Sequence, residues 1–151
     1  MMSGSDRKLI LVVDDTPTNV AVVSGLLKDL FRTKVATNGE KALAIATASE
    51  KPDLILLDVM MPGMDGYEVC GRLKADPCTR DIPVIFLTAK IDSLDKEKGF
   101  EVGAVDYIHK PFSGPIVLAR VKTQLALQAA LARRRRRASR LISCSMPSFP
   151  K

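Results

Sequence analysis

Two adjacent carboxylates, Asp14 and Asp15, follow the apolar run Leu9 to Val13, and a third, Asp58, follows Leu54 to Leu57. A hydroxyl, Thr88, comes directly after Val84 to Leu87, and an ammonium, Lys110, comes after Tyr107 and Ile108. Carboxylates gathered at one place repel one another, which either raises a pKa or recruits a cation. A hard divalent ion relieves that repulsion. An all-oxygen set with few protein donors and open positions suits Mg2+, which keeps several waters and readily shares a phosphate. A carboxylate beside such an ion can attack phosphorus and form an acyl phosphate. No general base is needed, because an ionised carboxylate has no proton to lose. Lys110 and the Thr88 hydroxyl would then hold phosphoryl oxygens, one by charge and one by hydrogen bond.

Positions so far apart in sequence meet only if the fold brings them together. Short, unbroken runs of Val, Ile and Leu read as strands buried on both faces, the mark of a parallel sheet covered by helices. In such sheets ligands bind at the carboxyl ends of the strands, where all five polar groups lie. Between the strands, Thr16-Pro17 reads as a helix start with Thr as cap and Pro at the first helical position. Val20, Val23, Leu27 and Leu30 mark one face of that helix. A short strand around Lys34 to Ala36 leads to Asn38-Gly39 and a second helix over Glu40 to Ser49. Tyr67, Cys70 and Leu73 mark a third helix after the loop Val59 to Gly66, and Asp92 to Val102 reads as a fourth, weakly periodic one. After a strand over Val105 to Ile108, a last helix begins near Ser113 with Leu118, Val121 and Leu125 on its inner face. Five βα units predict a doubly wound α/β domain: a five-stranded parallel sheet with five helices.

The motifs Val13-Asp14-Asp15, Leu57-Asp58-Val59-Met60-Met61-Pro62-Gly63-Met64-Asp65-Gly66, Leu87-Thr88-Ala89 and Lys110-Pro111-Phe112 occur in that order at strand ends. Jointly they resemble the receiver domain of two-component response regulators, over about residues 9 to 125. The resemblance implies the flavodoxin-like strand order 2-1-3-4-5 and phosphorelay signalling through a timed switch. Asp58 would be the phosphoacceptor, Asp15 a direct Mg2+ ligand, Asp14 a ligand mainly through water, and the Met60 backbone carbonyl a further ligand. Thr88 and Lys110 would bind the phosphoryl group, and Tyr107 would be the aromatic whose rotamer follows Thr88. The Lys110-Pro111 bond would be cis, which costs little before proline. The donor implied is a phosphohistidine on a sensor histidine kinase or phosphotransfer protein. The face switched would be that of the fourth helix, fifth strand and fifth helix. The domain would assist only its own phosphorylation and dephosphorylation, so it is not expected to be an enzyme. An output domain outside this chain and a homodimer are both compatible with the resemblance.

Two other classes stay open on the residues alone. One is a small Mg2+-dependent phosphatase with an aspartyl nucleophile, although Asp14-Asp15-Thr16-Pro17 lacks the Asp-x-Asp pattern of haloacid-dehalogenase-like enzymes. The other is a degenerate receiver that serves only as an interaction module. Met60 and Lys90, at positions flanking the phosphoryl site, are expected to tune hydrolysis by limiting water access, whereas Met61 and Met64 read, with Met60, as loop packing. His109 reads as a strand residue only.

Composition narrows the rest. With 151 residues the chain has room for one domain of ordinary size. The reading is a leader over residues 1–8, the receiver over 9–125, and a helix end with a basic tail over 126–151. No apolar stretch near the N-terminus approaches the ~20 residues of a membrane span, so a cytoplasmic protein is expected. Cys70, Cys78 and Cys144 have no metal-ligand spacing and read as free thiols. The formal charge of +6 belongs to residues 133–151, which hold seven basic groups and no acid; residues 1–132 hold 16 basic and 17 acidic groups. Arg133 to Arg137 fall all round a helix rather than on one face, so a solvated basic end is expected, without a dedicated nucleic-acid or membrane site.

Overall fold

A computed structural model describes residues 7–89, 97–98, 101–110 and 112–143. Five strands form where strands are expected, β2 starting two residues earlier: β1 (Leu9–Val13), β2 (Arg32–Ala36), β3 (Leu54–Asp58), β4 (Val84–Thr88) and β5 (Asp106–His109). They form one parallel sheet in the order β2-β1-β3-β4-β5, as expected. The helices described are α1 (Pro17–Leu27), α2 (Gly39–Ala46), α3 (Gly66–Ala75) and α4 (Gly114–Ser143). The helix expected over Asp92 to Val102, the Lys110-Pro111 bond and the Lys90 side chain lie wholly or largely outside the described residues.

Strand side chains alternate between faces, so each central strand supplies two cores. Leu11, Val13, Ile55, Leu57, Val84 and Phe86 face one way and pack against Ala42 and Ala46 of α2 and Val69, Cys70 and Leu73 of α3. Ile10, Val12, Leu54, Leu56, Ile85 and Leu87 face the other and meet Val23 and Leu27 of α1 and Val117 and Val121 of α4. All of these are fully or almost fully buried. At about 1.5–3 kcal/mol for each fully buried Val, Leu, Ile or Phe side chain, both cores contribute substantially to holding the sheet rigid. A rigid sheet is what gives its edge a defined geometry.

Several local expectations are corrected. Thr16 occupies the cap of α1 and Pro17 its first position, but the Thr16 hydroxyl makes no capping hydrogen bond. Val23 and Leu27 are buried, whereas Leu30 lies in the turn after α1 and is 45% exposed. Among the described side chains of α4, Val117, Val121 and Gln124 are buried, while Leu118 and Leu125 are only partly buried. Residues at i, i+4 and i+7 line one helical stripe, and Val117, Val121 and Gln124 have that spacing. Met61 and Met64 pack against the core as expected, but Met60 is 58% exposed and lies outside that cluster.

Candidate functional site

The strand register brings the polar groups to one edge. Val13 is opposite Ala36 and Leu57, Asp58 is opposite Leu87, and Thr88 is opposite His109. Backbone bonds carry the ladder one step past the strands: Asp14 N donates to Ala36 O, Val59 N to Leu87 O, and Lys110 N to Thr88 O. Asp14, Asp58, Thr88 and Lys110 are therefore held by sheet hydrogen bonding rather than by loops.

Asp14 and Asp58 are buried, and Asp15 reaches solvent. Carboxylate oxygens of Asp14, Asp15 and Asp58 lie within 4.8 Å of one another. The Lys110 ammonium sits between two of them, 3.2 Å from Asp58 Oδ1 and 3.3 Å from Asp14 Oδ2. Asp14 Oδ1 accepts from Thr16 N at 2.9 Å, which folds the start of α1 over the site. Asp58 Oδ1 also accepts from Met60 N at 3.3 Å.

Two buried carboxylates with one ammonium leave negative charge in a poorly solvated place. The Asp58 carboxyl is pushed up from its ordinary value of 3.8 to about 6. Burial is the largest cause and the neighbouring Asp14 charge the second, partly offset by Lys110. Asp14 Oδ2 is fully buried and makes no hydrogen bond, although the Lys110 charge is near. A buried acceptor without a donor is rare and calls for an explanation. Here the observation fits a cation site: three carboxylates, all oxygen donors, and one oxygen with an unused lone pair. That set suits Mg2+ better than a softer metal.

Thr88 ends β4, is 3% exposed, and lies one residue beyond the Asp58–Leu87 pair. Tyr107 is the second residue of β5 and is buried in the same core as Phe86, with ring centroids 5.6 Å apart. Phe86 in turn meets Tyr67 of α3 edge to face at 5.3 Å. The sheet thus draws Asp14, Asp15, Asp58, Thr88 and Lys110 to one edge, and Tyr107 lies on β5 in the core beside Phe86.

Sequence reasoning missed Gly66. Its N–H donates to Val59 O, and a Cβ there would run into the Asp58 carbonyl oxygen and the Val59 Cα. Only glycine lets α3 start that close to the strand carrying Asp58. The signal was the Asp65-Gly66 step, in which Asp65 caps α3 by accepting from Glu68 N. Gly63 in the same loop has φ +74°, the left-handed region that glycine adopts freely.

Comparison with known proteins agrees with this geometry. The family described as response regulator receiver domain matches residues 10–122. A probable cyclic di-GMP phosphodiesterase of Vibrio cholerae is 50% identical over 116 residues, covering 77% of this chain and 26% of that protein. Response regulator PleD of Caulobacter vibrioides is 47% identical over 115 residues, covering 76% of this chain and 25% of that protein. The chain therefore spans about a quarter of the length of these relatives. Among solved structures, the receiver domain of sensor histidine kinase PA1611 from Pseudomonas aeruginosa has a magnesium ion coordinated in its active-site cleft. It superposes with a TM-score of 0.73 at 30% identity, covering 80% of this chain and 98% of that one. The chain belongs to the response regulator receiver domain family, whose members act in two-component phosphorelay signalling.

Proposed function

We propose that Asp58 is the phosphoacceptor of this receiver and that its donor is a phosphohistidine on a sensor histidine kinase or phosphotransfer protein. The observation that carries the reading is the Lys110 ammonium set between Asp14 and Asp58, within a cluster of three carboxylates. A carboxylate oxygen of Asp58 attacks phosphorus, the P–N bond to the donor imidazole breaks, and the donor histidine leaves. The product is an acyl phosphate on Asp58. Burial destabilises the ionised Asp58, so less is lost when its charge is spent in forming the bond. Lys110 then exchanges a carboxylate partner for a phosphoryl oxygen, and Thr88 supplies a hydrogen bond from β4.

Asp14, Asp15, Asp58 and the Met60 carbonyl are the groups that would hold Mg2+. When bound, the ion would neutralise charge building on the phosphoryl oxygens. Phosphorylation adds about 1.5–2 negative charges at the sheet edge. Contacts from Thr88 and Lys110 to that charge favour one arrangement of the face formed by the helix expected over 92–102, β5 and the last helix, with Tyr107 on β5 as the aromatic whose rotamer follows Thr88. A ligand shifts such an equilibrium only by its differential contacts with the two states. Exposed Met60 stands beside Asp58 and limits the approach of water. The receiver unit is proposed to span residues 9–125, in the cytoplasm, with the helix end and basic tail over 126–151 as a separate segment. An output domain outside this chain and a phosphorylation-driven homodimer belong to the same proposal.

Incubation with acetyl phosphate and Mg2+, read by intact-protein mass, tests the reading. One phosphoryl adduct is expected in the unmodified protein, none with chelator and none in Asp58→Asn. Turnover of phosphate without a protein adduct would instead favour a phosphatase. An intact fold that takes no phosphate from acetyl phosphate or a kinase would favour an interaction module.

A further inference from the structure

The Arg run does not end the last helix: α4 continues without a break from Gly114 to Ser143. Successive helical positions turn by about 100°, so five consecutive arginines from 133 to 137 occupy positions all round the axis. Arg133, Arg134, Arg135 and Arg137 are exposed. At its base the run joins the body of the domain in a crevice of about 320 Å³. Lys8, Lys51 and Arg135 line that crevice together with Asp53 and Asp81. Asp53 is occupied, since it accepts from Leu9 N, and Asp81 lies 3.6 Å from Arg135. The crevice lies at the amino-terminal ends of β1, β3 and β4, the edge opposite the carboxylate cluster.

Against the expectation of a merely solvated basic end, we infer that the Arg133–Arg137 turn of α4, with Lys8 and Lys51 beside it, is a docking surface for duplex DNA, which receives this helix in its major groove. Arg135 is held to Asp81, while positions 133, 134 and 137 span an arc away from it that can meet phosphates on both walls of a groove. The B-form major groove is about 12 Å wide and admits an α-helix, whereas the A-form major groove is too narrow. Five helical residues advance about 7.5 Å, a distance over which a duplex presents about four phosphate charges at one per ~1.7 Å. A membrane surface fits less well, because interfacial helices need an apolar face opposite a polar one. Leu127 is exposed, but Arg134 stands seven residues on, along the same face. Single strands are held largely by stacking on aromatic rings, and residues 113–143 contain none.

Binding draws on phosphate charge alone and is independent of base sequence. The test is fluorescence anisotropy of the full chain with a labelled mixed-sequence DNA duplex between 50 and 200 mM salt. With Arg135 paired to Asp81, the three other exposed arginines together with Lys8 and Lys51 predict a slope of log affinity against log salt of about −4 to −5, or a loss of about 500-fold over that range. The triple change Arg133→Ala, Arg134→Ala, Arg137→Ala leaves Lys8 and Lys51 and is expected to bring the slope to about −2. Ala132→Pro keeps every charge but breaks the helix before the run, and is expected to weaken duplex binding several-fold with the thermal transition of the domain retained. Undetectable duplex binding at 50 mM salt overturns the proposal. So does equal binding by Ala132→Pro, by single-stranded DNA or by A-form RNA, or tighter binding to vesicles of anionic phospholipid.

Discussion

Replacing Asp58 by Asn should make the metal-free protein more stable at neutral pH, because the site opposes the Asp58 charge. The carboxyl is raised from 3.8 to about 6, mainly by burial and then by Asp14. A folded-state pKa above the unfolded value means that the native protein binds the proton more tightly. Stability from this group is therefore full below about pH 4 and is lost as pH rises from about 4 to about 6. A shift of about two units costs about 3 kcal/mol once ionisation is complete. Asn has the shape of the protonated acid without its titration, and its oxygen can still accept from Met60 N. The variant should exceed the unmodified protein by about 3 kcal/mol at pH 7.5 and by only about 1 kcal/mol at pH 4.5. For a chain of this size that corresponds to a Tm rise of about 6–12 °C at the higher pH. The assay is thermal or urea unfolding of both proteins in chelator at the two pH values. Added Mg2+ should close the gap at neutral pH by stabilising the unmodified protein alone. An Asp58→Asn protein no more stable than its parent at pH 7.5, or a gap independent of pH, would refute the reasoning.

Lys110→Ala removes the cation between two buried carboxylates and should cost about 3 kcal/mol in chelator at pH 7.5, measured by urea unfolding, with Asp58→Asn recovering part of the loss. Gly66→Ala forces a Cβ against the Asp58 carbonyl; a loss of about 2–3 kcal/mol and slower phosphorylation by acetyl phosphate are expected from unfolding and intact-mass time courses. Cys70 is fully buried and its thiol is pushed up to about 11 by burial, while Cys78 is exposed. A thiol reagent followed by peptide mapping should therefore mark Cys78 in the native protein and Cys70 only after unfolding.

Most of the sheet was legible because β1, β3 and β4 are buried on both faces and so carry unbroken apolar runs. β2 was legible only in its second half. It is an edge strand whose first residues are polar, with Arg32 and Lys34 paired to Glu50, and such pairs leave no apolar run to read. The positions of Asp14, Asp58, Thr88 and Lys110 at one edge followed from the parallel topology. The placement of the Lys110 ammonium between two carboxylates did not, since a long flexible side chain takes its direction from tertiary surroundings. Thr16 sits at the cap of α1 as expected, but its hydroxyl makes no capping bond, because spacing along the chain does not fix a side-chain rotamer. The length of α4 was hidden by a pattern argument. Five arginines cannot make an amphipathic face, yet arginine, alanine and leucine are all good helix formers, and the Arg135–Asp81 pair lies alongside.

The central claim is that the phosphoryl group resides on Asp58. Borohydride reduction of the phosphorylated protein converts an aspartyl phosphate to homoserine, and peptide mapping locates it. Homoserine is expected at position 58 alone, dependent on Mg2+ during phosphorylation. Homoserine at position 14 or 15, or a phosphoryl adduct that resists both borohydride and hydroxylamine, would contradict it.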